Sequence, residues 1–224
     1  MKFKLAMLAI AATTTAGSSM AATLYSQDFE SNSSGFAGGS VVGSESLGAS
    51  FGKNVYRAVT TPAATSTLSL SLGQAATGST LSFSLAILDS WDGNTFFGPD
   101  AFTVKLDGNT LFSAIFDNYN GFGPTVAPGL TNTSYGSNLA VNSGFNDATY
   151  TMSLALGNLS AGAHTIDFIA DGPGWQGFDD ESYAVDNINI DGQVTGAVPE
   201  PSTYALMALG LAGIGFTARR RAAR

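Results

Sequence analysis

From residue 23 to residue 198 the chain alternates in steps of two. In Thr80–Leu88 the apolar Leu81, Phe83, Leu85 and Ile87 are separated by Ser82, Ser84 and Ala86, so an extended backbone would carry one apolar face. Eight further short runs are rich in β-branched or aromatic residues: 24–29, 55–59, 68–72, 101–106, 110–116, 150–156, 163–170 and 183–190. Gly, Asn and Asp punctuate them. Asp107-Gly108-Asn109 reads as a hairpin turn, because such residues accept the positive φ of tight turns. No part of this stretch shows a capped 3.6-residue apolar period. The pattern predicts an all-β fold, an antiparallel β-sandwich of jelly-roll type, concanavalin-like or galactose-binding-like. The stretch is long enough for one domain, short for two, and contains no internal repeat.

Residue counts exclude several chemistries. There is no cysteine and one histidine, so disulfide frameworks, thiolate zinc sites and cysteine nucleophiles are out. Of nine basic residues, six lie at the two ends: Lys2, Lys4, Arg219, Arg220, Arg221 and Arg224. The body keeps Lys53, Arg57 and Lys105 against sixteen acidic residues, thirteen of them Asp. Such a surface repels the nucleic acid backbone, whose affinity comes from Lys and Arg. It makes a cation the first partner to test.

The ends read as addresses. Lys2 and Lys4 precede an apolar run (5–12) and small residues up to Ser19-Met20-Ala21, the three-part pattern of a secretory signal. Signal peptidase would cut after Ala21, giving a signal helix over 1–21 and a β-sandwich over 22–198. Residues 199–224 comprise Pro199-Glu200-Pro201, an apolar segment over 203–218 expected to be helical, and the arginine cluster. Sixteen helical residues span roughly 24 Å, short of a ~30 Å hydrocarbon core, and Arg219, Arg220 and Arg221 would flank the inner membrane on its cytoplasmic side. This tail resembles the PEP-CTERM sorting signal of Gram-negative bacteria, with Pro199-Glu200-Pro201 as its motif. The resemblance implies a membrane-anchored precursor, processing by an exosortase, and delivery to the cell surface or extracellular matrix.

The body resembles MAM-like and carbohydrate-binding-module jelly rolls at its two edges, through Asp28-Phe29-Glu30 and Tyr183-Ala184-Val185-Asp186-Asn187-Ile188. Asp89-Ser90-Trp91-Asp92-Gly93, Gly98-Pro99-Asp100-Ala101-Phe102 and Asp180-Glu181-Ser182-Tyr183 resemble motifs of other PEP-CTERM proteins of this size. MAM domains carry cysteines and this chain has none, so the resemblance extends to the fold and not to the partner.

Two acidic groups are candidate metal ligands. If Ala184, Ile188 and Ile190 face the core, Asp186 faces it too, and a buried carboxylate must be protonated, amide-bonded or paired. Ca²⁺ collects six to eight oxygens and suits such a place. Related sugar-binding sandwiches hold structural calcium between their first and last strands, which by resemblance nominates Glu30 and Asp186. The alternative is that Asp186 accepts backbone amides. The second group joins Asp89, Asp92 and Asp100 of one loop to Asp179, Asp180 and Glu181 of another. Asp89, Asp92, Asp180 and Glu181 are the nominated ligands if the loops meet. The alternative is Asx-turns in Gly-rich loops.

Trp91 and Trp175 lie in loops with Phe96, Phe97, Tyr119, Phe122 and Phe178 near them in sequence. Exposed rings beside polar groups would stack on the sugars of an extracellular polysaccharide; alternatively the indoles plug the end of the sandwich. His164 is the one base for a Ser-His-Asp arrangement, and its strand places it with Ile166 and Phe168, as a core residue. There is no Gly-x-Ser-x-Gly elbow, and Gly35–Gly43 lacks the lysine of a phosphate loop. The reading is an exported protein that is not an enzyme, with calcium and glycan as its partners. A secreted glycan-active hydrolase using paired carboxylates is the alternative.

Overall fold

The alternation becomes twelve strands in a computed structural model that describes residues 19–44, 46–95, 97–118, 123–137, 144–195 and 207–211. They are β1 (Ser19–Gln27), β2 (Phe36–Ala37), β3 (Ser40–Gly43), β4 (Asn54–Ala58), β5 (Ala63–Leu72), β6 (Ala76–Asp89), β7 (Ala101–Leu106), β8 (Asn109–Ile115), β9 (Leu130–Ser137), β10 (Asn146–Leu159), β11 (Gly162–Asp171) and β12 (Glu181–Thr195). One sheet runs β3-β4-β12-β6-β10-β9, with β1 also on β12; the other runs β2-β5-β11-β7-β8. The chain crosses between sheets from β1 to β2, β2 to β3, β4 to β5, β5 to β6, β6 to β7, β8 to β9, β10 to β11 and β11 to β12, which is a jelly-roll path. The ladders β3-β4-β12-β6-β10-β9 and β2-β5-β11-β7-β8 are antiparallel throughout.

All nine expected strands are present. β2, β3 and β9 were not legible, since Phe36-Ala37 is too short for a period and Leu130–Ser137 is mostly Thr, Asn and Ser. Asp107 (φ 49°) and Gly108 (φ 80°) form a two-residue loop between β7 and β8, as their positive φ preference requires.

Leu81, Phe83, Leu85 and Ile87 of β6 face Leu68 and Leu70 of β5, Phe102 and Val104 of β7, and Ile166 and Phe168 of β11 in the core between the sheets. A smaller cluster of Leu47, Phe51, Val55, Ala86, Leu88 and Ala184 lies on the opposite face of β6 and β12, under the 44–53 loop. This corrects the expected phase of β12. Tyr183, Val185, Ile188 and Ile190 face the main core, whereas Ala184 belongs to the second cluster. The cause is a bulge: Asp186 pairs Ser84 and Asn189 pairs Ser82, so 187 and 188 together oppose Phe83, with Asn187 at φ 50°. Asp186 is buried, but beneath the 44–53 loop and beside Ser84.

Ala21–Val194 forms one compact unit, and 1–20 with 195–224 forms another. In the second, a helical stretch covers 207–211, with Met207, Leu209 and Leu211 exposed. Among the described residues no helix is long and apolar enough to cross a membrane. The apolar signal run, Pro199, Glu200, Pro201, Arg219, Arg220, Arg221, Phe96, Tyr119 and Phe122 lie outside the described residues.

Candidate metal centre and adjoining pocket

β6 pairs β12 so that Asp89 opposes Glu181, and β7 pairs β11 so that Ala101 opposes Asp171. The loops over 90–100 and 172–180 therefore leave the same end of the sandwich. Ser90 binds the two loops, its amide and Oγ donating to the Asp180 carbonyl (2.8 and 2.9 Å) and Oγ to Asp180 Oδ1 (2.9 Å). Gly174 and Gly172 allow the closest approach: a Cβ on Gly174 would overlap the Phe97 carbonyl, and one on Gly172 the Pro99 carbonyl.

Beneath the loops, Asp92, Asp100 and Glu181 place one carboxylate oxygen each within 4.8 Å of one another. They are 5%, 0% and 0% exposed. Asp100 Oδ2 accepts the Asp92 amide, and Glu181 Oε2 accepts the Gln176 amide at 2.6 Å. Asp100 Oδ1 and Glu181 Oε1 are buried with no donor. Burial pushes Glu181 up to about 8 and Asp100 up to about 6, against the pull of those amides. Burial, then the charges of Asp180 and Asp117, also raises Asp92. Burial is the largest cause throughout; neighbouring carboxylates add to it, and a hydrogen bond between Asp100 and Glu181 lowers the first and raises the second.

The nominated residues divide. Asp92 and Glu181 come together, with Asp100 as third member, a residue already in the sequence group but not among its nominated ligands. Asp89 does not join them: its carboxylate faces Arg57 (Nη2–Oδ2 3.8 Å), which also donates to Ser182 Oγ and the Phe178 carbonyl. Asp180 turns to Ser90. Glu30 and Asp186 do meet, at the backbone of Gly52, where a Cβ would touch both carboxylates. Asp186 accepts the amides of Gly52 (2.8 Å) and Asn187 (2.7 Å), and Glu30 Oε1 those of Lys53 and Asn54. Burial still raises Asp186 to about 6, with the Gly52 and Asn187 amides lowering it and Glu30 and Asp28 adding to the rise. The amide alternative is thus present at Asp186.

The tryptophans correct the expectation of exposed rings. Trp91 is 0% and Trp175 6% exposed, packed edge to face at 5.0 Å, with Phe116 on Trp91 at 5.9 Å. Their Nε1 groups donate to the Ser182 (2.9 Å) and Thr60 (2.8 Å) carbonyls. They plug the sandwich, because two large rings with one donor each bury more favourably than they solvate. The exposed rings at this end are Phe97 (59%) and Phe178 (56%), of which Phe97 lines a pocket. Ser90, Asp92, Phe97, Phe145, Gln176 and Asp180 line an open pocket of about 200 Å³ above the acidic centre.

His164 is held at both ring nitrogens. Nδ1 meets Asp107 Oδ2 at 2.7 Å, and Nε2 meets the Ser160 carbonyl at 3.0 Å, nearer than Ser160 Oγ at 3.4 Å. The Asp107 contact, then the Ser160 carbonyl, raises the His164 pKa, and His164 lowers that of Asp107.

No curated protein matches this chain. Among solved structures, a family 35 carbohydrate-binding module from an environmental isolate is similar at 18% identity and a TM-score of 0.34, over 78% of this chain and 99% of that one. The catalytic domain of a GH87 α-1,3-glucanase is similar at 15% identity and a TM-score of 0.36, over 83% of this chain and 30% of that one. The Podospora anserina GH26-CBM35 β-(1,4)-mannanase is similar at 18% identity and a TM-score of 0.33, over 84% and 29%. This chain therefore spans about a third of the length of the two enzymes. Residues 197–221 match the PEP-CTERM protein-sorting motif, and the chain is one that carries this sorting signal behind a jelly-roll body.

Proposed function

We propose that the protein is an exported, non-catalytic module that an exosortase releases from a membrane-anchored precursor, and whose calcium-stabilised body binds polysaccharide through the pocket beside Phe97. The observation that carries the binding reading is that pocket: one exposed ring next to Ser90, Asp92, Gln176 and Asp180, which offer hydroxyl, carboxylate and amide partners. At about 200 Å³ it falls below the ~300 Å³ of a small-ligand cleft, so it suits one ring of a longer chain. The hydrolase alternative needs two carboxyl groups flanking a bond; Asp100 and Glu181 are wholly buried, and of the two acids that line the pocket Asp180 is tied to Ser90 and Asp92 is 5% exposed.

Two experiments test it. On a polysaccharide array the intact protein binds without hydrolysis, and Phe97→Ala weakens binding roughly two- to tenfold, the worth of one aromatic contact. Unchanged binding by the variant would remove the pocket from the proposal. Mass spectrometry of protein recovered from a host with the sorting enzyme finds a chain beginning near Ala22 and lacking Arg219, Arg220 and Arg221. Retention of those arginines contradicts the sorting reading.

A further inference from the structure

We infer that Asp92, Asp100 and Glu181 form a binding site for a hard divalent cation, Ca²⁺ in type, which ties the 90–100 loop to the start of β12. The inference rests on the calcium reading above and places the ion away from Glu30 and Asp186.

Three observations carry it. First, the three carboxylates converge within 4.8 Å in a place almost closed to water. Three carboxyl groups gathered there at low dielectric cannot all ionise without a counter-charge, so either Asp100 and Glu181 share a proton or a cation takes its place. Among the described residues no free basic side chain is at hand, since Arg57 is engaged with Asp89, Ser182 and Phe178. Second, Asp100 Oδ1 and Glu181 Oε1 are buried and receive no hydrogen bond from any other residue, so that only a proton shared between the two joins them, while the partner oxygen of each carboxylate is held by a backbone amide. Those amides fix both groups so that their remaining oxygens point into the centre. A buried acceptor left unmet costs about 1–3 kcal/mol, and more for a charged one. Third, Thr95 Oγ1, in the same loop, is also buried without a partner, and the charges of Asp117 and Asp180 reach Asp92. Oxygen donors are thus plentiful around the three.

The donor set selects the ion. Zinc sites are built mainly on His or Cys, and the group of Asp92, Asp100 and Glu181 contains neither. Mg²⁺ demands near-octahedral geometry, which carboxylates from two loops do not readily provide, whereas Ca²⁺ accepts six to eight oxygens irregularly placed. At Glu30 and Asp186 the balance differs, because backbone amides already meet the acceptors.

Tb³⁺, a luminescent stand-in for Ca²⁺, tests the site in the intact protein. Tryptophan excitation should give sensitised emission, because Trp91 directly precedes Asp92, and Ca²⁺ should displace it. Asp100→Asn combined with Glu181→Gln keeps both indoles and should abolish the emission; persistence would put the ion elsewhere. Asp100→Asn and Glu181→Gln should each weaken Ca²⁺ at least as much as the roughly 10–100-fold that loss of an outer partner costs. In chelator both variants should melt at or above the wild type, since an amide removes a crowded charge. If Ca²⁺ raises the melting temperature of both as it does the wild type, while Glu30→Gln loses the effect, the inference falls and the calcium reading stands. If chelator leaves the wild-type melt unchanged, both fall.

Discussion

Trp91→Ala lowers the stability of the body by about 3–5 kcal/mol, the range for truncating a buried aromatic in a core that does not collapse. The indole is fully buried between Trp175 and Phe116, and Phe116 in turn meets Tyr150 at 5.5 Å, so the cavity opens under the loops that hold the acidic centre. The Ser182 carbonyl also loses its donor, which adds to the cost. For a domain of this length the loss corresponds to a fall in melting temperature of roughly 6–20 °C, readable by calorimetry. Trp91→Phe should lose less, since a ring remains. An Ala variant within 0.5 kcal/mol of the wild type would mean that the ring is exposed.

Gly174→Ala should cost about 3 kcal/mol or more, at the upper end of overpacking, because the clash is with the Phe97 backbone carbonyl and no rotamer relieves it. The two loops must part, so the variant should also lose Ca²⁺ affinity and the pocket beside Phe97. Gly73→Ala is the control: its Cβ meets nothing within 4 Å, and the change should stay within ~0.5 kcal/mol. Circular dichroism melts of the pair decide it, and equal melts for both variants would mean that the loops are not pressed together.

Much of the fold was legible because the signal is local. A run such as Leu81, Phe83, Leu85 and Ile87 states its own face, and Asp107-Gly108 states its own turn. Phase was less legible: the Asn187 bulge flips β12 between Val185 and Ile188, and nothing in the spacing of Ala184, Asp186 and Ile188 announces an extra residue. The acidic loops could be grouped by sequence, yet their pairing is set by β6 on β12 and β7 on β11. That register brings Asp100 in and leaves Asp89 to Arg57. Trp91 and Trp175 were ambiguous for the same reason, since a loop indole has the same neighbours in sequence whether it faces in or out. Only the meeting of the two loops decides, and it turns both inward.

The most direct test of the account is a crystal structure of the protein grown with millimolar Ca²⁺, with anomalous data collected at long wavelength. The account predicts a peak among Asp92, Asp100 and Glu181 with carboxylate oxygens at about 2.3–2.6 Å. A peak at Glu30 and Asp186 alone, with Asp100 Oδ1 and Glu181 Oε1 still facing each other across no ion, would contradict it.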